Sequence, residues 1–540
     1  MINYIQPLKR RTLSLVTKKQ LSFFIITWAI SFGFFVRAYP AFTNPMPLND
    51  GGLFLSIVED IMAKNFTLPQ TISYNNGNIP LSYPPLAFYV IAFFSKYFLI
   101  EPILILKWMP IIISTVSIGA IYLLAKEIHK DELIASLSSI SFAMFPPSIS
   151  WFIMGGGVTR SFGILFSILT MLFAYRLFTK GKWINCLLTS IFGSLLLLSH
   201  PQWILQTVGV IIIFFLKFGN KDKNIKLSFI TAIIIIIITM PWWLAVIQTN
   251  STTMANAIKT GFHNFANFLI PFLLTFGKEP FFPIITLTGV LGLIYFIQKG
   301  SYWYGVWFLY PFFIDPRSAF SAASIPISIT SGIGLLILLQ TINMFSSSKP
   351  AEPCTKDLES DYNLNMSRSS KLGIGFFLIY TLAGGFANTL QISDVVLKTE
   401  VINSFSWIKQ NIPPNSNFLV ISAEPLFANP IQEWFYPLTK SNSLNTYQGR
   451  EWLPDFDHFV SNNATLQDCK YKTISCLNEW LASNNIGYEY IYLYEGKVPT
   501  LGIEEIQASL SLGESLKADN HHLLVYQSQN IKIFRLKYDE

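Results

Sequence analysis

Apolar residues along this 540-residue chain fall into long runs until about residue 395, where short runs replace them. The first run, 21–36, follows a basic stretch holding Lys9, Arg10, Arg11, Lys18 and Lys19. Alone it would resemble a signal peptide. With many further runs behind it, it predicts an uncleaved first span with the N-terminus in the cytoplasm. Further spans are predicted near 104–125, 132–150, 160–178, 183–199, 203–218, 227–246, 281–298, 302–314, 320–340 and 372–390. Several approach the ~20 apolar residues that cross a bilayer.

The first external loop, 38–103, carries its own pattern. Leu53, Phe54, Ile57, Val58, Ile61 and Met62 recur at helical spacing, with Ser56, Glu59, Asp60 and Lys64 on the remaining face. That predicts a helix lying in the membrane interface. A turn-rich stretch, Ser73–Pro80, follows, and Tyr83-Pro84-Pro85 opens a second apolar helix over 86–99. Basic residues decide whether this second helix crosses. If it lies along the surface, Lys126/Lys130, Arg176/Lys180/Lys182 and Lys217/Lys221/Lys223/Lys226 all face the cytoplasm. If it crosses, all three clusters move outside, against the positive-inside rule. The surface placement is therefore the expectation. The mixed segment 247–280 reads as a second external segment, partly re-entrant, and the Ser-, Pro- and charge-rich stretch 343–371 as a flexible cytoplasmic loop.

Beyond 395, strand-length runs at 417–421, 490–493 and 523–526 alternate with helical stretches near 397–411, 472–484 and 502–512. The expected fold is a polytopic α-helical membrane protein of about eleven transmembrane helices over 1–394, followed by an extracytoplasmic α/β or α+β domain over 395–540. Composition agrees. Only 13% of residues are charged and 51% are hydrophobic, where soluble domains carry ~25% charged residues. The net charge of +7 sits in topology-setting clusters, so no nucleic-acid partner is expected. Of four cysteines, Cys186 falls in a span and Cys354 in a polar loop. Cys469 and Cys476 lie close together in the external domain, either bridged, if the compartment is oxidising, or as two free thiols. The chain has no C-x-x-C or His-rich metal pattern.

With this topology the polar residues near membrane level converge on the outer side. Asp50, in Asn49-Asp50-Gly51-Gly52, either caps the helix that follows or serves as a functional carboxylate. Gly155-Gly156-Gly157 precedes Arg160. Exposed N–H groups of Gly156 and Gly157, with the Arg160 and Arg317 guanidinium groups, suit a donor phosphate; a flexible turn and headgroup anchors are the alternative. His200 and Gln202 are candidate substrate or metal contacts, or ordinary loop hydrogen-bonding groups. Glu59 and Asp60 either contact substrate or form a solvated helix face. In the C-terminal domain Glu433-Trp434 and Tyr447–Trp452 place aromatics beside carboxylates, which suits a sugar ring or a plain core. One carboxylate with two arginines at a membrane surface suits group transfer from a lipid phosphate. The carboxylate orients or deprotonates an acceptor hydroxyl, and the arginines, or a divalent metal (Mg or Mn), stabilise the departing phosphate.

In these features the chain resembles the GT-C superfamily of integral-membrane glycosyltransferases, which includes protein O-mannosyltransferases, aminoarabinose transferases and oligosaccharyltransferase catalytic subunits. The resemblance rests on the acidic motif at Asp50, two interfacial helices, the second opened by Tyr83-Pro84-Pro85, the polar loop ending in Arg160, and the C-terminal external domain. It implies a polyprenyl-phosphate-linked sugar donor, inversion at the anomeric carbon and Asp50 as the essential first-loop carboxylate. Tyr83 stands where related transferases carry His or Lys before Pro-Pro, which puts a metal site there in doubt. The Trp-Trp-Asp signature of oligosaccharyltransferases is missing, and no Asp-x-Asp motif precedes Arg160. The implied acceptor is thus a glycan, lipid or protein, with N-glycosylation disfavoured. Competing expectations are a transporter or flippase for lipid-linked glycans and a non-catalytic scaffold. Spans nearly free of charge and the lack of a strong internal repeat weigh against transport.

Overall fold

The computed structural model describes residues 17–219, 222–249, 274–346, 368–422, 429–496 and 512–537. Lys9, Arg10, Arg11 and Cys354, most of segment 247–280, most of loop 343–371 and nearly all of the expected helix 502–512 lie outside the described residues.

Among the described residues thirteen α-helices precede the sheet domain: α1 Lys18–Thr43, α2 Gly52–Ala63, α3 Leu86–Phe98, α4 Pro102–His129, α5 Glu132–Met144, α6 Gly157–Lys180, α7 Trp183–Leu197, α8 Pro201–Phe218, α9 Asp222–Thr249, α10 Ile284–Gln298, α11 Trp303–Ile314, α12 Ala319–Ser346 and α13 Arg368–Ser393. Seven described helices are long and apolar enough to cross a membrane, or eight if α5 and the stretch Pro146–Phe152, bent 81° from it, form one span. The chain is a multi-pass membrane protein. Helices α7, α10 and α11 stand at expected places but have only 12 to 15 residues. At about 1.5 Å per residue they fall short of the ~30 Å hydrocarbon core.

The break after α5 follows from Pro146-Pro147, which cannot continue the hydrogen-bond ladder. The freed carbonyls are met by a fully buried arginine on α1. Arg37 Nη1 donates to Ala143 O at 2.7 Å and to Gly33 O at 3.2 Å, and Nη2 donates to Ser148 O at 3.2 Å. Arg37→Met is expected to leave the Ala143 and Ser148 carbonyls unpaired, at about 1–3 kcal/mol each. A lowered melting temperature in detergent would show this; an unchanged one would mean that water takes over both bonds.

Charged residues gather at one end of the bundle. Glu127 of α4, nearly buried, pairs with Lys130 at 2.5 Å and, on α6, with Arg176 at 2.6 Å and Lys180 at 2.7 Å. Lys18 of α1 pairs with Asp131, which also caps α5 by accepting from Leu133 and Ile134. Lys130, Arg176 and Lys180 of the expected clusters thus meet around Glu127, while Lys126 pairs with Glu132 at 2.7 Å. The other end of α6 begins at Gly157, about 28 Å away along the helix.

Helix α3 leaves Phe93, Phe94, Tyr97, Phe98 and Leu99 exposed, as expected for a helix at a membrane surface. Helix α2 differs from the expectation. Its residues Gly52–Val58 and Ile61 are all buried, Ser56 included, because it lies between α3 and a helix of the C-terminal domain. The turn-rich stretch after it folds into a two-stranded antiparallel ribbon, β1 Thr71–Ile72 with β2 Ile79–Pro80.

The C-terminal domain contains α14 Thr399–Asn411, β3 Asn417–Ile421, α15 Pro430–Thr439, β4 Asn442–Ser443, α16 Phe456–Asp468, α17 Ile474–Asn484, β5 Tyr490–Tyr494, α18 Leu512–Ala518, β6 His522–Gln527 and β7 Ile531–Leu536. Its sheet runs β4-β3-β5-β7-β6, parallel on the β4-β3-β5 side and antiparallel from β5 onward. Strand periodicity of two sends alternate residues to opposite faces. Phe418, Val420, Tyr490 and Tyr492 pack with Phe405 of α14 and Phe435 of α15, whereas Leu419, Ile421, Ile491 and Leu493 pack with Leu466, Leu477 and Leu516 of α16, α17 and α18. Both faces are covered, which explains the unbroken apolar runs. Cys469 and Cys476 form a disulfide that ties the end of α16 to the start of α17. Among the described residues Cys186 is the free cysteine, buried in α7.

Candidate active site

The loop joining α1 to α2 has unusual backbone on both sides of Asp50. Asn49 has φ +54° and Gly51 φ +127°. Gly51 is the N-cap of α2 and supplies no side-chain acceptor. The acceptor comes from the C-terminal domain: Gly51 N–H and Leu53 N–H both donate to Glu433 Oε1, at 3.3 and 3.0 Å. Asp50 therefore does not cap α2; the capping role expected of it falls to Glu433. Helix α15 approaches so closely that a Cβ on Gly52 would stand 2.1 Å from Glu433 O.

Asp50 points instead to the start of α6. Gly156 N–H donates to its Oδ1 at 2.9 Å, and a Cβ on Gly156 would lie 2.5 Å from Oδ2. The positive end of the helix dipole favours a carboxylate there. One turn along, Arg160 Nη1 is 3.8 Å from Asp50 Oδ2, with the two side chains 23% and 24% exposed. The Arg160 guanidinium lies 5.2 Å from the centre of the Trp151 ring, a cation–π contact. Its Nη1 is buried and makes no hydrogen bond. A carboxylate and a guanidinium thus face each other, partly open, with donor capacity unspent.

Beside this pair lies a second polar group. The Tyr83 ring packs on Phe54 at 5.1 Å, Trp452 at 5.9 Å and His200 at 6.1 Å. His200 is buried at the N-cap of α8 with Nδ1 unpartnered. Burial, then the charges of Arg160 and Arg317, push its pKa well below the usual imidazole value, so it is neutral. Arg317 sits on a turn held by Asp315, whose carboxylate accepts from Arg317 N–H at 3.2 Å and from the Ser318 hydroxyl at 2.6 Å. Burial raises Glu451, against the opposing charge of Arg317, and its Oε2 is buried without a partner. The charges of Arg160, Arg317 and Glu451 all reach the Tyr83 hydroxyl. The sequence reading named Glu451 only inside an aromatic run; its unsatisfied burial had no sequence signal.

Other candidates are placed differently. Gly157 N–H donates to Met154 O at 3.0 Å and Gly156 N–H to Asp50, so neither is free for the phosphate role expected of it. Glu59 pairs with Lys440 at 2.7 Å, and Asp60 accepts from Ser73 N–H at 2.8 Å. Both are committed to holding the first loop. Trp434 is fully buried, and its Nε1 donates to Asn49 O at 3.0 Å, so its ring is not open to a sugar. Gln202 is half-buried on the first turn of α8. Among the described residues no three His, Cys, Asp or Glu side chains converge as metal ligands. Glu433 spends Oε1 on backbone, and His200 faces two guanidinium groups, so this donor set does not fit a divalent metal.

The sequence over residues 82–244 matches the family model for dolichyl-phosphate-mannose–protein mannosyltransferases. No curated protein matches the chain. Solved structures do. The crystal structure of ArnT from Cupriavidus metallidurans in the apo state aligns at a TM-score of 0.55 with 11% identity, over 96% of this chain and 98% of that one. The oligosaccharyltransferase AglB from Archaeoglobus fulgidus, in complex with an inhibitory peptide and a dolichol-phosphate, aligns at 0.51 with 12% identity, over 88% and 69%. The chain has the GT-C glycosyltransferase fold. A third GT-C structure, arabinofuranosyltransferase AftD from Mycobacteria, aligns at 0.54 with 10% identity, over 97% of this chain and 40% of that one. ArnT has also been solved with undecaprenyl phosphate, and the Archaeoglobus enzyme with Zn and sulfate.

Proposed function

We propose that this protein is a glycosyltransferase that moves a sugar from a polyprenyl-phosphate donor to an acceptor hydroxyl on the extracytoplasmic side, with inversion. The observation that carries the reading is the half-open Asp50–Arg160 pair at the start of α6, bordered by Arg317, His200 and Tyr83. Asp50 takes the proton of the acceptor hydroxyl. The acceptor oxygen forms its bond to the anomeric carbon as the bond from that carbon to the phosphate oxygen breaks. The electron pair leaves on the polyprenyl phosphate, whose developing charge Arg160 and Arg317 stabilise. The neutral His200 hydrogen-bonds substrate without adding charge.

Asp50 as the single base, with the neighbouring Glu433 Oε1 spent on the α2 backbone, supports one displacement and hence inversion. Basic residues gathered around Glu127 and Asp131 at the far end of α6 favour that end as cytoplasmic. The site and the disulfide-bearing domain then face outside. The test is purified full-length protein in nanodiscs, given a panel of polyprenyl-phosphate monosaccharides with envelope extract as acceptor. The expected result is release of polyprenyl phosphate from one of them; release from none overturns the proposal.

A further inference from the structure

Helix α15 grips the Asp50 loop from both sides. Upstream, the Trp434 indole donates to Asn49 O at 3.0 Å; downstream, Glu433 Oε1 accepts from Gly51 and Leu53 N–H. The Tyr74 hydroxyl donates to Glu433 O at 2.8 Å, which fixes the helix against the first loop. We propose that Glu433 is a positioning residue for Asp50: by capping α2 from the C-terminal domain it fixes the backbone that aims Asp50 at Gly156 and Arg160. This rests on the transfer reading above.

Most helices carry their own cap as a Ser, Thr, Asp or Asn at the first position. Here that position is Gly51, and the acceptor stands 380 residues away from Leu53. Asn and Gly reach the positive φ values at Asn49 and Gly51 at little cost, as they reach many others, so the loop's shape must be held by contacts from outside it. The aim of Asp50 is thus conditional on the docked sheet domain.

Charge fits the role. Glu433 is buried, and burial with the Asp50 charge beside it pushes its pKa up to about 8, with Glu451 acting in the same direction and the two N–H bonds opposing. The groups facing it are Asp50 from the loop, Tyr74 from the turn after α2 and Glu451 from the turn before α16. Lys440, the C-cap of the same helix, is engaged with Glu59. Glu433 Oε2 is buried with no partner, as suits a carboxyl that keeps its proton. As a neutral acid it caps α2 without a second negative charge beside the base. Its folded-state pKa lies above the unfolded value of 4.5. Stability should therefore fall as pH rises from about 4.5 to about 8 and level off beyond, because across that window only the folded state keeps the proton.

The test compares Glu433→Ala, Glu433→Gln and Asp50→Asn in full-length protein in nanodiscs. The probe is polyprenyl-phosphate mannose, or whichever sugar of the panel above is turned over. In Glu433→Ala, amide exchange at Gly51 and Leu53 should quicken and kcat fall by about 100-fold with KM little changed. Glu433→Gln keeps the acceptor oxygen and cannot ionise. It should restore exchange, bring turnover back to within a few-fold, and move the alkaline fall of activity upward from about pH 8. Unchanged exchange in Glu433→Ala overturns the proposal. So does a Gln variant as inactive as the Ala variant with normal exchange, which would place Glu433 in the chemistry itself. So does a Gln variant whose pH profile overlays the wild type. Full turnover in Asp50→Asn sinks the transfer reading instead; loss in Asp50→Asn with unchanged exchange in Glu433→Ala sinks only the positioning role.

Discussion

Asp50→Asn is expected to lower turnover by about 10²–10⁴-fold, the usual loss when a positioned general base is removed. Asn keeps an oxygen for Gly156 N–H, so the loop should hold its shape while the carboxylate charge disappears. In cells, one polyprenyl-linked sugar should accumulate in the variant, read by mass spectrometry of extracted lipids at equal protein abundance. Matching lipid profiles would return Asp50 to a structural role at the start of α6 and bring the scaffold and transporter readings forward.

Arg160→Gln should cost about 10²–10³-fold in kcat, the scale measured when one preorganised donor to a developing anion is lost. The Gln amide keeps a donor but no charge. It gives up the ion pair to Asp50 and the stacking on Trp151. Arg160→Lys should recover part of the loss, because a point charge replaces the planar fork without its geometry. Weaker binding of polyprenyl phosphate as product should accompany the Gln variant, measured by inhibition. A Gln variant with normal kcat would move the phosphate away from Arg160 and leave Arg317 as the principal cation.

Helices stand where the apolar runs predicted them, because apolarity over such lengths follows from the bilayer itself, but among the described residues seven or eight, not eleven, are long enough to cross: α7, α10 and α11 are too short, and α5 breaks at Pro146-Pro147. The cluster around Glu127 was half-legible: the basic residues stood out by topology, and the carboxylate that gathers them did not. Helix α2 was read as interfacial because its apolar stripe is real. The burial of Ser56 on the opposite side depends on α15, which no local pattern announces. The strand β7 at Ile531–Leu536 went unnamed because Lys532 and Arg535 interrupt its apolar residues. At the site, Asp50, Arg160, His200 and Arg317 were found as polar residues at span ends. What each bonds to is tertiary information. So was Glu433, whose side chain turns to the backbone of α2 rather than to a sugar, and Arg37, whose partners are carbonyls exposed by a break in another helix.

The grip of α15 on the first loop also sets a timetable. Leu53 leaves the ribosome 380 residues before the glutamate that caps it. At about 5–20 residues per second this is a wait of about 20 to 75 s. During that interval the remaining membrane helices are made while the segment bearing the acid is unpinned. A nascent chain would thus be inserted and yet incompetent, and competence would arrive in one step when the later-made sheet domain closes over the loop that bears Asp50.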